Sequence, residues 1–294
     1  MPLVTTGELV GRAAAEHSAV AAFNIITLEH VEAVIAGAES AQAPVVLQVS
    51  ENAVKFRYGR LLPLARAAVA AAERACVPVA LHLDHVQSDD LLRQASDAGF
   101  SSVMYDAARL PYDQNLAATR AAADWAHTQG LWIEAELGQI GGKAGPAGRE
   151  TSAGPPLDAH APGARTDPAE ARAFVADSGV DALAVAIGST HAMTTRTATL
   201  DHELLKRLSA ALDVPLVLHG SSGVPDGELA AAVAGGIAKV NVGTALNIAM
   251  TGAIRDFLAA HPEAVDSRKY LSVGREAMAR AVTGIIRTLA RPSA

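Results

Sequence analysis

The sequence predicts an α/β protein of the (β/α)8 TIM-barrel class, and three observations support this. Eight short, nearly uninterrupted apolar runs alternate along the chain with segments of helical periodicity, which is typical of parallel strands covered by helices on both faces. The first run lacks the Gly-x-Gly-x-x-Gly turn that a doubly wound open sheet favours. The length of 294 residues suits one large barrel. We therefore expect a single domain over residues 1–294.

The elements follow one another in a regular order. Thr5 and Glu8 form a capping signal, which predicts an N-terminal helix that ends near His17. Apolar runs predict strands at residues 20–25, 44–50, 77–83, 102–105, 131–137, 182–187, 215–219 and 237–242. Helical spacing predicts helices at residues 28–41, 61–76, 89–98, 111–129, 166–178, 201–212, 225–234, 245–260 and 273–289. Residues 138–165 are rich in glycine, proline and small polar residues, so we expect a long loop after strand five, either a functional lid or a disordered segment.

Composition and charge exclude several classes of protein. Half of the residues are apolar, which is enough for a large core. The formal net charge of -7 and the pI near 5.8 argue against a nucleic-acid partner. Cys76 is the single cysteine, so an intrachain disulfide is impossible. The chain contains no run of about 20 apolar residues and no signal-like start, and we expect a cytoplasmic protein without membrane association.

Polar residues follow the predicted strands at the end where such barrels carry their chemistry. The third run ends in Leu-His-Leu-Asp-His-Val at residues 81–86, although desolvating three titratable groups costs free energy unless they are paired or bind a metal. Regular alternation would place His82 and Asp84 on one face of this strand and His85 on the other. Other strands end in or near Asn24, Ser50, Asp106, Glu134, Glu136, His191, His219 and Asn241. Each of these residues alone is also explained by capping or hydrogen bonding.

Three histidines form the most specific part of this pattern. His85, His191 and His219 follow strands three, six and seven, so they would project into the mouth of one barrel. Three imidazoles with one open position are the ligand set of a catalytic zinc site; three separately hydrogen-bonded histidines are the alternative. Asp84 lies beside a predicted ligand and suits either proton transfer or orientation of that histidine. We expect His82 to pack or hydrogen-bond beneath the site.

Two later segments are suited to bind a phosphate group. The sequences His-Gly-Ser-Ser-Gly-Val and Asn-Val-Gly-Thr follow strands seven and eight, and their small residues let backbone N–H groups and hydroxyls approach an anion. Loops after strands seven and eight of such barrels commonly hold phosphate, although glycine and serine also form ordinary turns. The two segments together predict a phosphorylated small molecule as the ligand.

Five motifs along the chain carry a family resemblance. They read HLDH, IEAELGQIGG, AVAIGSTH, LVLHGSSGV and KVNVGT. In this order, and across nearly the whole chain, they closely resemble the class II, zinc-dependent ketose-bisphosphate aldolases, which act on fructose or tagatose bisphosphate. The resemblance implies a (β/α)8 barrel, Zn²⁺ bound by His85, His191 and His219, and Asp84 as the proton donor and acceptor at the C4 hydroxyl.

The same resemblance implies further site residues. Asp106 and Glu136 would form an accessory cation position, and a monovalent cation is a further implied cofactor. Arg268 would reach the far phosphate from a neighbouring subunit, which favours a homodimer or homotetramer. The dihydroxyacetone phosphate moiety would be held by Ala192, Gly220, Ser221, Ser222, Asn241, Val242, Gly243 and Thr244. Asn24 and Ser50 complete the predicted substrate-binding set.

The sequence also departs from the family pattern. Family members commonly carry a glutamate two residues after the Gly-Gly that follows strand five, where it handles the C3 proton, but here Lys143 and Ala144 follow that pair. Glu150 or Asp158 of the same loop are the candidates to replace it. Alanine stands at 192 and asparagine at 52 where glycine is usual, and alanine stands at 108 where serine is usual.

These features predict a zinc-dependent aldolase. It would reversibly cleave a ketose 1,6-bisphosphate of the fructose or tagatose type to dihydroxyacetone phosphate and an aldehyde through a metal-stabilised ene-diolate. The missing loop glutamate leaves two alternatives, the same chemistry on another phosphorylated or pathway-specific substrate, or a catalytically weak sugar-phosphate binder. A class I mechanism with Lys239 as Schiff base does not account for three strand-end histidines.

Overall fold

The structure, a computed structural model, describes residues 2–138 and 164–290 and contains a closed barrel of eight strands. All neighbouring strands are parallel, and β8 pairs with β1 to close the barrel. The strands are β1 (Val20–Asn24), β2 (Val45–Ser50), β3 (Val79–Val86), β4 (Ser102–Tyr105), β5 (Trp132–Leu137), β6 (Ala182–Val185), β7 (Leu216–Leu218) and β8 (Ile237–Val242). The predicted (β/α)8 fold is confirmed.

Helices cover the outside and one end of the barrel. They are α1 (Thr6–Ala15), α2 (Leu28–Ala41), α3 (Glu51–Phe56), α4 (Leu62–Ala72), α5 (Asp89–Leu92), α6 (Ala95–Ala98), α7 (Tyr112–Thr128), α8 (Pro168–Ser178), α9 (His202–Ala211), α10 (Asp226–Ala234), α11 (Thr244–Ala260) and α12 (Ser267–Leu289). The apolar core between strands and helices includes Phe23, Ile133 and Phe174, all fully buried. Among the described residues, no helix combines the length and apolarity needed to cross a bilayer.

The N-terminal helix closes the bottom of the barrel. The predicted capping box is present, since Thr5 Oγ1 accepts from the backbone N–H of Glu8 at 3.2 Å and Glu8 Oε2 accepts from the backbone N–H of Thr5 at 3.0 Å. Leu9 and Val10 of α1 pack with small barrel-interior residues such as Ala22. This end is therefore filled with apolar side chains, which leaves the opposite rim for polar residues.

Several boundaries differ from the sequence-based prediction. The six-residue helix α3 was not predicted, and the helix expected at residues 61–76 ends at Ala72. The segment predicted as one helix at residues 89–98 forms the two short helices α5 and α6. Helix α12 begins at Ser267 rather than at residue 273, because Asp266 caps it by accepting from the N–H of Arg268. Most of the predicted loop at residues 138–165 lies outside the described residues.

Candidate active site

The C-terminal rim of the barrel surrounds a cavity of about 700 Å³. It is lined by most of the predicted site residues, namely Asn24, Ser50, Asp84, His85, Asp106, His191, Ala192, Gly220, Ser221, Ser222, Asn241, Gly243 and Thr244. Two predicted substrate-binding residues are not among the described lining residues. Val242 is buried in β8, and the exposed Arg268 lies at the start of α12, paired with Asp266 at 2.8 Å.

A bulge at the end of β3 turns His85 into this cavity. The register between β3 and β4 shifts between Leu83 and Val86, and His85 has a positive φ of 52°. The regular alternation considered for this strand therefore does not hold at its end, because the bulge re-aims one side chain. Asp84 and His85 both line the cavity. His82 is fully buried, and its Nδ1 hydrogen-bonds Ser102 Oγ at 2.7 Å.

The three predicted histidines meet at one point. Their ring centroids are 4.9 to 5.9 Å apart. One ligand atom each of His85, Glu136, His191 and His219 lies within 4.8 Å of every other. Nδ1 of His219 is buried and faces this group, at 3.2 Å from Glu136 Oε2. Nitrogen and carboxylate donors converging in this way fit a divalent cation such as Zn²⁺.

Two carboxylates hold the outer nitrogens of two of these rings, His85 and His219. His85 Nδ1 lies 2.9 Å from Asp106 Oδ2, and His219 Nε2 lies 2.7 Å from Glu134 Oε1. Such contacts fix the tautomer and direct the other ring nitrogen towards a metal. Glu136 lies within the histidine group, and Asp106 lies behind His85. Their role at an accessory cation position stays a prediction.

The electrostatics of the group favour positive charge. Burial alone would lower the pKa of His219, but hydrogen bonds and charge interactions with Glu134 and Glu136 raise it to about 9. Below the group, Lys239 Nζ contacts Glu134 Oε2 at 2.8 Å, and both side chains are fully buried. A cation bound between Glu136 and the rings would replace the proton of His219.

Asp84 stands beside the histidines as an ionised carboxylate. Burial alone would raise its pKa, but the charges of His85, His219, His82 and Lys239 outweigh burial and lower the pKa to about 2. Its Oδ2 accepts from Asn24 Nδ2 at 2.8 Å.

Gln48 extends this contact into the barrel interior. Its Nε2 donates to Asn24 Oδ1 at 2.9 Å, and the side chain is fully buried. The sequence analysis did not single out Gln48, although a polar residue inside an apolar strand was the signal for it.

The phosphate-suited segments present hydroxyls and backbone groups to the cavity. Gly220 has φ +65°, and a Cβ there would lie 2.7 Å from the backbone of Thr190, so only glycine fits. Ser221 Oγ donates to the carbonyl of Asn241, and Ser222 Oγ accepts from the N–H of Ala245 at 3.1 Å. The N-terminus of the 17-residue helix α11 opens at this place, which favours an anion.

Ala192 adopts the left-handed conformation that favours glycine, with φ 61°. The structure thus places alanine in a backbone conformation that L-residues rarely adopt, at the position where family members usually carry glycine. The cavity is also lined by residues that were not predicted: Glu51, Asn52, Lys55, Gln87, Arg109 and Asn247. The candidates Glu150 and Asp158 lie outside the described residues.

A (β/α)8 barrel with imidazole and carboxylate groups converging at its C-terminal mouth is the arrangement of the metal-assisted barrel enzymes. The comparisons with known proteins are more specific. Residues 4–292 match the family described as "Fructose-bisphosphate aldolase class-II". The chain belongs to this family and is thus a class II aldolase, a lyase; the family is generally metal-dependent.

Relatives and solved structures agree with this assignment. The chain is 36% identical over 289 residues to the "Probable fructose-bisphosphate aldolase" of Bacillus subtilis (strain 168), covering 98% of this chain and 97% of that protein. It is 36% identical over 290 residues to the "Fructose-bisphosphate aldolase" of Staphylococcus aureus (strain Mu50 / ATCC 700699), with the same coverage. The crystal structure of the YdjI aldolase from Escherichia coli K12 matches with a TM-score of 0.83 at 30% identity, covering 98% of this chain and 97% of that one.

Proposed function

We propose that this protein is a zinc-dependent aldolase that reversibly cleaves a ketose 1,6-bisphosphate of the fructose or tagatose type to dihydroxyacetone phosphate and an aldehyde. The observation that carries the proposal is the convergence of His85, Glu136, His191 and His219 beside the ionised Asp84. A set of three imidazoles suits Zn²⁺ better than the oxygen-preferring Mg²⁺. The monovalent cation and the cytoplasmic location stay predictions.

The residues can be given roles in this reaction. When bound, zinc supplies Lewis-acid polarisation of the ketone oxygen, which makes the neighbouring carbon acidic. Asp84 takes the proton of the C4 hydroxyl as the C3–C4 bond breaks and returns it in the condensation direction. Asn24 holds the Asp84 carboxylate in place by donating to it, and Gln48 in turn holds Asn24 by donating to its Oδ1.

The other end of the substrate lies at the anion-suited loops. Ser221, Ser222 and the N-terminal turn of α11 would hold the phosphate of the dihydroxyacetone phosphate half. This contact sets the position of the reacting carbons relative to Asp84. The binding energy of the phosphate contact thus helps to orient the C3–C4 bond, although the phosphate-binding residues do not contact that bond.

We further propose a homodimer or homotetramer in which Arg268 serves the site of a neighbouring subunit. Its side chain is 89% exposed and lies outside the cavity of its own chain. The preceding α11 exposes Ile248 and Leu258, and Val265 in the connection to α12 is 92% exposed. Apolar residues exposed next to an exposed arginine favour burial against another subunit. Light scattering measures the number of subunits. Arg268→Ala should lose activity but keep the same number of subunits.

The function is tested with protein purified without a histidine tag. We expect elemental analysis to find about one zinc per chain, and triose phosphate release from fructose or tagatose 1,6-bisphosphate that a chelator abolishes and zinc restores. His191→Ala should lose both metal and turnover. Turnover that survives chelation and the loss of this histidine would refute the proposal. Turnover of other phosphates only, or binding without turnover, would instead support the two alternatives raised by the missing loop glutamate.

A further inference from the structure

The cavity reaches from the histidine group to a wall that the motifs did not predict. Lys55 on α3 and Arg109 after β4 line the cavity together with Asp84 and His85. In the closed strand order, β4 stands opposite β8, and β2 lies two strands away from β8. A ligand held by a phosphate at the loops after β7 and β8 would extend over the mouth towards the part of the wall that follows β2 to β4, where Lys55 and Arg109 line the cavity.

Lys55 is held at this wall by a fixed carboxylate. Its Nζ lies 2.7 Å from Oε1 of Glu51, one helical turn earlier, and Glu51 Oε2 accepts from the backbone N–H of Gln87 at 2.6 Å. The side chain of Glu51 is only 11% exposed, whereas that of Lys55 is 55% exposed. An ammonium group has three donors, so the contact with Glu51 orients Lys55 and leaves donors for a second acceptor.

Helix α3 itself is firmly attached to the rim. Ser50 caps it by accepting from the N–H of Ala53 at 3.2 Å. Arg57 closes its other end by donating to the carbonyl of Ile26 at 2.8 and 3.2 Å, which joins α3 to the loop after β1. A recognition group on such a wall loses little freedom when a ligand binds.

We propose that Lys55 selects substrates whose aldehyde half carries an anionic group at the end remote from the ketone. This inference rests on the proposed aldolase function and deepens it. A phosphate or carboxylate at that end offers the ammonium a charged acceptor, whereas a neutral aldehyde leaves it hydrogen-bonded to Glu51 and water only. Arg109 adds positive charge on the same side of the cavity.

The condensation direction tests this, because the aldehyde can be varied while dihydroxyacetone phosphate stays constant. The aldehydes are glyceraldehyde 3-phosphate, succinic semialdehyde and neutral glyceraldehyde. Lys55→Met should lower kcat/KM by about 10- to 100-fold for one or both anionic aldehydes, which is the range of one charge-assisted hydrogen bond. It should leave the value for glyceraldehyde nearly unchanged. The anionic aldehyde that is affected identifies the group as phosphate or carboxylate.

The chain offers a matched control. Lys206 on α9 forms the same kind of ion pair, with Glu203 at 2.7 Å, but does not line the cavity. Lys206→Met should behave as the parent protein with all three aldehydes. Lys55→Arg should retain most of the preference for the anionic aldehyde. An equal loss with neutral glyceraldehyde, or no loss at all, would overturn the role of Lys55.

A second measurement separates this inference from the proposed function. Calorimetric titration of the zinc-loaded protein with glyceraldehyde 3-phosphate or succinic semialdehyde alone needs no turnover. Weaker binding by Lys55→Met but not by Lys206→Met supports the anion site even if no aldol product forms, in which case only the proposed function fails. Aldol turnover with binding that does not depend on Lys55 refutes the anion site alone.

Discussion

The buried pair of Lys239 and Glu134 supports the candidate metal centre and gives a quantitative test. Both side chains are fully buried, with Nζ and Oε2 2.8 Å apart, while Glu134 Oε1 holds His219. Lys239→Met leaves the carboxylate with His219 as its remaining partner, and breaking one half of a buried pair costs about 3–5 kcal/mol of the free energy of unfolding. In a chain of this size that corresponds to a fall in Tm of roughly 5–10 °C. Urea and thermal unfolding of the metal-free protein measure it.

A double variant gives the decisive comparison. Combining Glu134→Gln with Lys239→Met removes both charges, while the amide oxygen still accepts from His219 Nε2, so most of the lost stability should return. The double variant should also retain zinc, whereas Glu134→Leu with Lys239→Met should bind it about 10- to 100-fold more weakly, because His219 is no longer oriented. The reasoning is refuted if the single variant costs less than about 1 kcal/mol or if the glutamine and leucine double variants bind zinc equally.

Three further predictions follow from other parts of the chain. Gly37→Ala should lower the free energy of unfolding by about 1–2 kcal/mol, because its Cβ would lie 2.6 Å from an α12 side chain. Gly11→Ala, with open space around it, should instead raise the free energy of unfolding by about 0.5–1 kcal/mol. Equal effects of the two variants in urea titrations would contradict this. Burial, with the charge of Lys239, lowers the pKa of His82 to about 3. The stability that neutral His82 contributes is therefore complete above about pH 6.5 and is lost at about 1.4 kcal/mol per pH unit as the pH falls towards 3. His82→Gln should flatten the dependence of the unfolding free energy on pH between pH 7 and 5, and an unchanged dependence would refute this prediction. Gln48→Met should lower kcat by about 10- to 100-fold by loosening Asp84 while KM and zinc content stay unchanged, and a loss of zinc would assign Gln48 to the metal centre instead.

Periodicity and strand-end residues were sufficient for the fold and for much of the rim. Eight apolar runs predicted eight parallel strands, and the carboxyl ends of parallel strands in a barrel share one rim. His85, His191 and His219 were therefore expected to meet although they are far apart in sequence, and their rings do meet. Capping chemistry placed α1 equally well, because Thr5 and Glu8 act within a single turn.

Contacts across the barrel interior were decided by the tertiary structure. Local alternation assigns a residue to a face of its strand, but the bulge that turns His85 into the cavity depends on how β3 pairs with β4. Helix α3 was not predicted, because six residues are too few to show helical periodicity. For this reason Lys55 was not expected at the cavity.

The sequence by itself determined the barrel, the rim that carries the chemistry and the residue types available there. Only the tertiary structure decided which polar groups pair beneath that rim, such as Glu134 with His219 and Lys239, or Gln48 with Asn24. The physical reason is that partners up to 105 residues apart are brought together by strand register and barrel closure, whereas periodicity reports only which side of a strand or helix is buried.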